Sequence, residues 1–365
     1  MNVVATCVYS VFALLSMIGI KIAKKKESKY KSDLKTIDLN EISVIIPFRN
    51  ESKRISPLLE SIKNSKLLPK HIYFVDDHST DSSVELISMY INKGKMSIVT
   101  LPKNNEGKKS AIAYTIGNYV KTKFVLTIDA DTYFTSDYFK QLETLAISEL
   151  TILPVQMNGQ KIMTSCFAYD YSVLKTVNRI AYGYSTPILA SGANLLFSVE
   201  KYLLHNGFEE HKNYLSGDDQ FLLNNFISNN IKPTFSSHYA LTIKTQSPET
   251  IKTFIQQRVR WFQKNNVSST RYSELILLLN ASVQLVFYVS IIVGGIAKEW
   301  TEITLLFLFK VIVDHFIINV LNKQKHHFFT VLLTSIIQPF YYLSLLILVL
   351  TYIPQWKGRE TILNQ

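Results

Sequence analysis

Cysteine is almost missing from this chain of 365 residues, which carries only Cys7 and Cys166. One lies in an apolar run and the other far from it, so they make neither a disulfide framework nor a thiolate metal site. Both read as small buried apolar residues. No internal repeat and no low-complexity linker is visible. The net charge of +11 is not accompanied by a basic module interleaved with aromatic residues, so it does not point to nucleic acid. The charge is concentrated instead: Lys21, Lys24, Lys25, Lys26, Lys29 and Lys31 directly follow an apolar run over residues 3–20. The positive-inside rule and anionic lipid head groups place lysines there. A cleaved leader is set aside as well, because its positive charge precedes the apolar run and a small-residue cleavage site follows it.

What is present is hydrophobic in long stretches. Besides residues 3–20, apolar runs cover about 275–297, 303–321 and 328–353. At 1.5 Å rise per residue each is long enough to cross a hydrocarbon core of about 30 Å. Between them lies a mixed region, about 40–270, long enough for one sizeable α/β domain. Strands are expected at 41–47, 71–75, 96–101 and 124–128, from short β-branched or apolar runs. Helices are expected through Leu58, Leu59 and Ile62, then over 82–92 and 108–120. That alternation indicates a parallel sheet covered on both faces, with ligands beyond the carboxyl ends of its strands.

The acidic clusters fall at those ends. Asp76 and Asp77 stand where a strand turns into a helix, and could accept hydrogen bonds from a nucleotide's ring N–H and ribose hydroxyls, or simply cap the helix. Asp129-Ala130-Asp131 follows an apolar strand directly, and hard oxygen ligands so placed suit Mg²⁺ or Mn²⁺ bridging to phosphate, a polar turn being the alternative. Gly217-Asp218-Asp219-Gln220 opens a helical run. One of its carboxylates could act as general base, or both could serve the helix N-terminus. Gln257-Arg258-Val259-Arg260-Trp261 lies in an amphipathic helix just before the apolar runs. Arg260 could neutralise a diphosphate by bidentate contact, while Trp261 could offer a platform to a sugar or anchor at the lipid interface.

Taken in order, the set resembles the inverting family 2 glycosyltransferases, in particular the membrane-integrated members with a D, DxD, D, QxxRW pattern. Cellulose, chitin, hyaluronan and poly-N-acetylglucosamine synthases and ceramide glucosyltransferase belong to that group. Val44-Ile-Ile-Pro47-Phe-Arg49-Asn50-Glu51 is similar to the first strand and nucleotide-binding loop, and Val75-Asp76-Asp77 to the uridine-contacting motif. Gly107-Lys108 resembles the lysine-bearing helix start, Asp129-Ala-Asp131 the metal site, and Ser191-Gly192-Ala-Asn194 an acceptor-side loop. Asp218-Asp219-Gln-Phe-Leu222 matches E-D-x-x-L, and Gln257, Arg260 and Trp261 match QxxRW. Two positions depart from the pattern: Asp218 replaces a glutamate, and Ala113 an asparagine.

The resemblance implies a nucleotide-diphospho-sugar transferase fold, α/β with helices on both faces of a parallel-type sheet, plus transmembrane helices. It implies a UDP-sugar donor held through Pro47, Arg49, Glu51, Asp76, Asp77, Lys108 and Asp129, and Mg²⁺ or Mn²⁺ on Asp129 and Asp131. Asp219 would be the base, with Asp218, Gln257, Arg260 and Trp261 also catalytic, and Gly192, Asn194 and Trp261 on the acceptor side. The expected layout is a transmembrane anchor at 1–22, a cytoplasmic transferase domain at 40–247, an interfacial helix at 248–270 and about three spans within 275–353. In a bacterium the membrane would be the inner or plasma membrane. The expected acceptor is a membrane lipid, with a growing glycan, as for a processive polysaccharide synthase, as the alternative.

Two other classes share some of these features. A transporter would use polar groups inside its spans, and Lys310, Asp314 and His315 do lie in the third apolar run, although the first two could pair four residues apart. A nucleotidyltransferase would share the sheet, metal and nucleotide but gives no reason for Gln257–Trp261 beside a membrane. Four full crossings would put the C-terminus outside, whereas Lys357 and Arg359 favour the inside; Gln338-Pro339 could break the last run or make it re-entrant.

Overall fold

The computed structural model describes residues 2–33, 36–91, 94–209, 217–268, 270–322, 324–352, 355–356 and 359–360. The expected boundaries at Asn92 and Ile353, and Lys357, lie outside them. The apolar runs of the domain form β1 (Ile42–Phe48), β2 (His71–Asp76), β3 (Met96–Thr100) and β4 (Phe124–Ile128). They pair in parallel in the order β3-β2-β1-β4, with Ile45 opposite both Tyr73 and Thr127. The connections α2 (Ser56–Lys63), α3 (Ser83–Ser88) and α4 (Gly107–Asn118) cover the two faces. Alternate residues of one strand therefore enter different cores: Val44 and Ile46 pack with Leu58 and Phe74, and Ile45 with Val75, Ala111 and Ile112.

Beyond β4 the sheet is mixed rather than purely parallel. After β5 (Thr132–Tyr133) and α5 (Tyr138–Leu142) come β6 (Leu150–Ile152), β7 (Val155–Asn158) and the 23-residue α6 (Ile162–Tyr184). Then β8 (Asn194–Ser198) inserts antiparallel between β4 and β6. Helices α7 (Val199–Leu204) and α8 (Asp218–Ser228) follow, and β9 (Thr234–Phe235) closes the edge parallel to β6. A small second sheet joins β5, β10 (Ile243–Gln246) and β7 beside the end of β4.

Among the described residues four helices are long and apolar enough to cross a membrane: 3–29 of α1 (Asn2–Asp33), α10 (Arg271–Ile296), α11 (Trp300–His315) with the π turn Phe316–Leu321, and α12 (Phe328–Thr351). Helix α1 runs on through the lysine cluster and packs along α6. At the crossing a Cβ on Gly183 would stand 2.0 Å from the Gly19 carbonyl oxygen, so only glycine permits this approach. Lys26 donates to the carbonyls of Tyr182 and Ser185, capping the end of α6. Part of the basic cluster is therefore structural.

Helix α12 continues through Pro339, where the sequence suggested a break. Proline has no N–H for the carbonyl of residue 335. In its place the Tyr288 hydroxyl of α10 contacts the Ser335 carbonyl at 3.1 Å and Gln338 Oε1 at 3.0 Å. The freed acceptor is satisfied across the helix interface, and the helix does not need to unwind. Lys310 and Asp314 pair at 2.6 Å, four residues apart, and the Tyr9 hydroxyl of α1 donates to the same aspartate.

Candidate active site

One cavity of ≈ 2590 Å³ runs from the carboxyl ends of β1, β2 and β4 to the faces of α10, α11 and α12. It brings together Pro47, Arg49, Glu51, Asp77, Lys108, Asp129, Asp131, Gly192, Asp218 and Asp219. From α9 (Ile251–Ser268) it adds Gln257, Arg260 and Trp261. Two expected residues lie outside its lining. Asp76 accepts from the Ser79 N–H at 2.9 Å and so serves the turn after β2. Asn194 is fully buried, with Tyr138 donating to it and its amide donating to the Pro154 and Leu241 carbonyls. Lys310, Asp314 and His315 do not line the cavity either.

Lys108 is the electrostatic centre. It starts α4, and its ammonium reaches Asp129 at 2.6 Å and Asp218 at 3.0 Å. Burial opposes its charge, but Asp129, Asp218 and Asp219 outweigh burial and hold the ammonium well above the usual lysine range. Asp131 pairs with Arg54 at 3.0 Å, and Arg54 also holds Glu51 at 2.7 Å. Arg49 donates to the Asp77 and His78 carbonyls, and Asp77 accepts from the Gly107 N–H, so the loops after β1 and β2 are fastened to the start of α4.

Gly192 is pressed against this group. A Cβ there would stand 2.3 Å from Asp218 Oδ2 and 2.5 Å from Lys108 Nζ. Its N–H donates to Asp219 Oδ2 at 3.2 Å, and the Gln220 N–H donates to Asp219 Oδ1 at 2.8 Å. The two neighbouring aspartates are thus used differently: Asp218 faces the ammonium, while Asp219 is oriented by backbone N–H groups. Arg260 lines the same cavity; burial lowers its pKa, against the pull of Asp129, Asp219, Asp218 and Asp131.

Sequence reasoning missed the face of α6. Asp170 accepts from Arg258 Nε at 2.7 Å, and the Arg258 guanidinium lies 4.4 Å from the Trp261 ring and 4.6 Å from that of Phe254. Arg258 also donates to Gln257. Trp261 is therefore fixed by a buried ion pair, and the Tyr171 ring lies tilted to it with centroids 5.8 Å apart. Lys175 lines the cavity one turn further along, half-buried; burial and Arg179 push its ammonium down to about 8. The fixed spacing of Gln257 and Trp261 was a signal for α9, but no comparable signal marks residues 170–175.

Residues 43–161 match the model of glycosyl transferase family 2, and residues 124–355, more than half of the chain, match that of glycosyl transferase family group 2. Poly(ribitol-phosphate) beta-glucosyltransferase of Bacillus spizizenii is 33% identical over 100 residues, 27% of this chain and 16% of that protein. Undecaprenyl-phosphate 4-deoxy-4-formamido-L-arabinose transferase of Yersinia enterocolitica is 35% identical over 97 residues, 26% of this chain and 29% of that one. The chain thus spans under a third of the length of these curated relatives. A mannosyltransferase of Pyrobaculum calidifontis, solved with GDP-Man and Mn²⁺, superposes with a TM-score of 0.60 at 13% identity. That match covers 96% of this chain and 99% of the other, a likeness of fold. On the extent of these matches, the chain belongs to glycosyl transferase family group 2.

Proposed function

We propose that the chain is a membrane-bound inverting glycosyltransferase that moves a sugar from a UDP-sugar to a hydroxyl of a lipid acceptor. The observation that carries this reading is that one cavity joins Lys108, Asp129, Asp219 and Arg260 to the faces of α10, α11 and α12. A donor diphosphate fits the charged end, and an acceptor held in the bilayer reaches the same space from the other. Lys310, Asp314 and Tyr9 satisfy one another away from the cavity, which leaves a transporter without a polar path through them.

Asp129 and Asp131 suit a divalent ion, being hard oxygen donors two residues apart at a strand end. Each is paired here with one cation, Lys108 and Arg54 respectively, so a dication held by the two carboxylates would take the place of those contacts. Bound there, Mg²⁺ or Mn²⁺ would offset charge on the diphosphate. The rest of the chemistry falls to the chain's own residues. Asp219, oriented by the Gly192 and Gln220 N–H groups, takes the proton of the acceptor hydroxyl. The acceptor oxygen bonds to the anomeric carbon while the bond to the diphosphate oxygen breaks on the opposite side, and the leaving oxygen keeps the electron pair. Arg260 stabilises the charge that develops there, and the configuration inverts.

The test is to incubate purified protein with a panel of labelled UDP-sugars and a membrane lipid extract. One discrete labelled glycolipid in organic solvent, with release of UDP and dependence on Mg²⁺ or Mn²⁺ after chelation, is expected. A product ladder digested by a glycanase would make it a polysaccharide synthase. Release of pyrophosphate would make it a nucleotidyltransferase.

A further inference from the structure

The membrane end of the cavity is not uniformly apolar. Asn280, Gln284 and Tyr288 recur every fourth residue along α10, so they share one face, and all three line the cavity. Tyr288 is committed to Ser335 and Gln338 of α12. The other two carboxamides have no hydrogen-bond partner among the described residues, and Gln284 Oε1 is buried. Both lie in a helix long and apolar enough to cross a membrane. A carboxamide left bare in such surroundings is costly, and polar groups at such depth commonly mark the path of a substrate.

An alkyl chain lying along α10 would leave both carboxamides unsatisfied. A sugar would not, because its hydroxyl edge can meet Asn280 and Gln284 while its C–H face lies on an aromatic ring. Trp261 and Tyr341 supply such rings in the same cavity. We propose that Asn280 and Gln284 form a carbohydrate subsite, and that the acceptor is a membrane glycolipid already bearing a sugar, which the enzyme lengthens. The proposal rests on the reading of a lipid acceptor and narrows it.

Mass analysis of the labelled lipid made from membrane extract decides it. The transferred sugar should sit on a lipid that already carries at least one sugar. The Gln284→Leu variant should raise the KM for that lipid about tenfold, the loss of one or two hydrogen bonds. Its UDP affinity should be unchanged, which shows that the variant is folded. A labelled product with a single sugar on its lipid overturns the subsite while leaving the lipid acceptor intact. So does an unchanged KM in Gln284→Leu. Label that never enters the organic phase and appears only in water-soluble glycan overturns the lipid reading itself.

Discussion

Two adjacent aspartates with different partners make the sharpest residue-scale contrast. Asp218 offers an oxygen to Lys108, and Asp219 is held by the N–H groups of Gly192 and Gln220. Asp219→Asn should lower transfer by about 10²–10⁴-fold, the usual worth of general-base help, with UDP affinity nearly unchanged. Asp218→Asn removes a partner of Lys108 and should weaken nucleotide binding as well as rate. A fully active Asp219→Asn with an inactive Asp218→Asn would exchange the roles. His326 offers a separate test by pH. Burial first, then Lys175, His315 and His327, push its imidazole down to about 4, and it contacts Ser172 at 2.8 Å. An unfolded histidine titrates near about 6.5, so between those values the unfolded chain binds the extra proton. The stability that neutral His326 confers is thus full above about pH 6.5 and is lost as pH falls towards 4. Melting curves between pH 6.5 and 5 should fall less steeply in His326→Gln than in the natural chain; equal slopes would exclude the effect. Most of the motif residues were legible because strand ends and helix starts fix where short side chains point; Asp76 and Asn194 serve a turn and the core instead. Asp170 and Lys175 were not, since only the packing of α6 against α9 and α12 turns them towards the cavity.

At the scale of elements, the four parallel strands and the long helices were readable, because apolar runs of five or more residues leave few alternatives. The far half of the sheet was not. β6 has three residues and β9 two, and nothing local tells β8 to insert antiparallel between β4 and β6. Pro339 gave a misleading signal for a related reason: the partner that rescues its helix comes from another helix. Tyr288→Phe removes that partner from the Ser335 carbonyl and should destabilise the protein in detergent by about 1 kcal/mol. In a Pro339→Ala background residue 339 regains its N–H, so the same substitution should cost measurably less. Additive effects in this double-mutant cycle would show that the hydroxyl does not replace the missing bond.

At the scale of the whole molecule, a continuous α12 bears on the topology. If α1, α10, α11 and α12 each cross once, residues after Thr351 lie on the side opposite the domain. The lysines after the first apolar run favour a cytoplasmic domain, although Lys26 also donates to the carbonyls at the end of α6. Lys357 and Arg359 alone favour the reverse for the C-terminus, and two charges weigh little against that cluster. Single-cysteine labelling in intact cells separates the arrangements, with Cys7 and Cys166 replaced by serine and alanine. A cysteine at the exposed Lys103 should react only with a membrane-permeant reagent, and one at Arg359 with an impermeant reagent. Both positions reacting only with the permeant reagent would mean that α12 does not cross. Lys103→Cys reacting with the impermeant one would place the domain and its cavity outside, against the proposed use of a cytoplasmic donor.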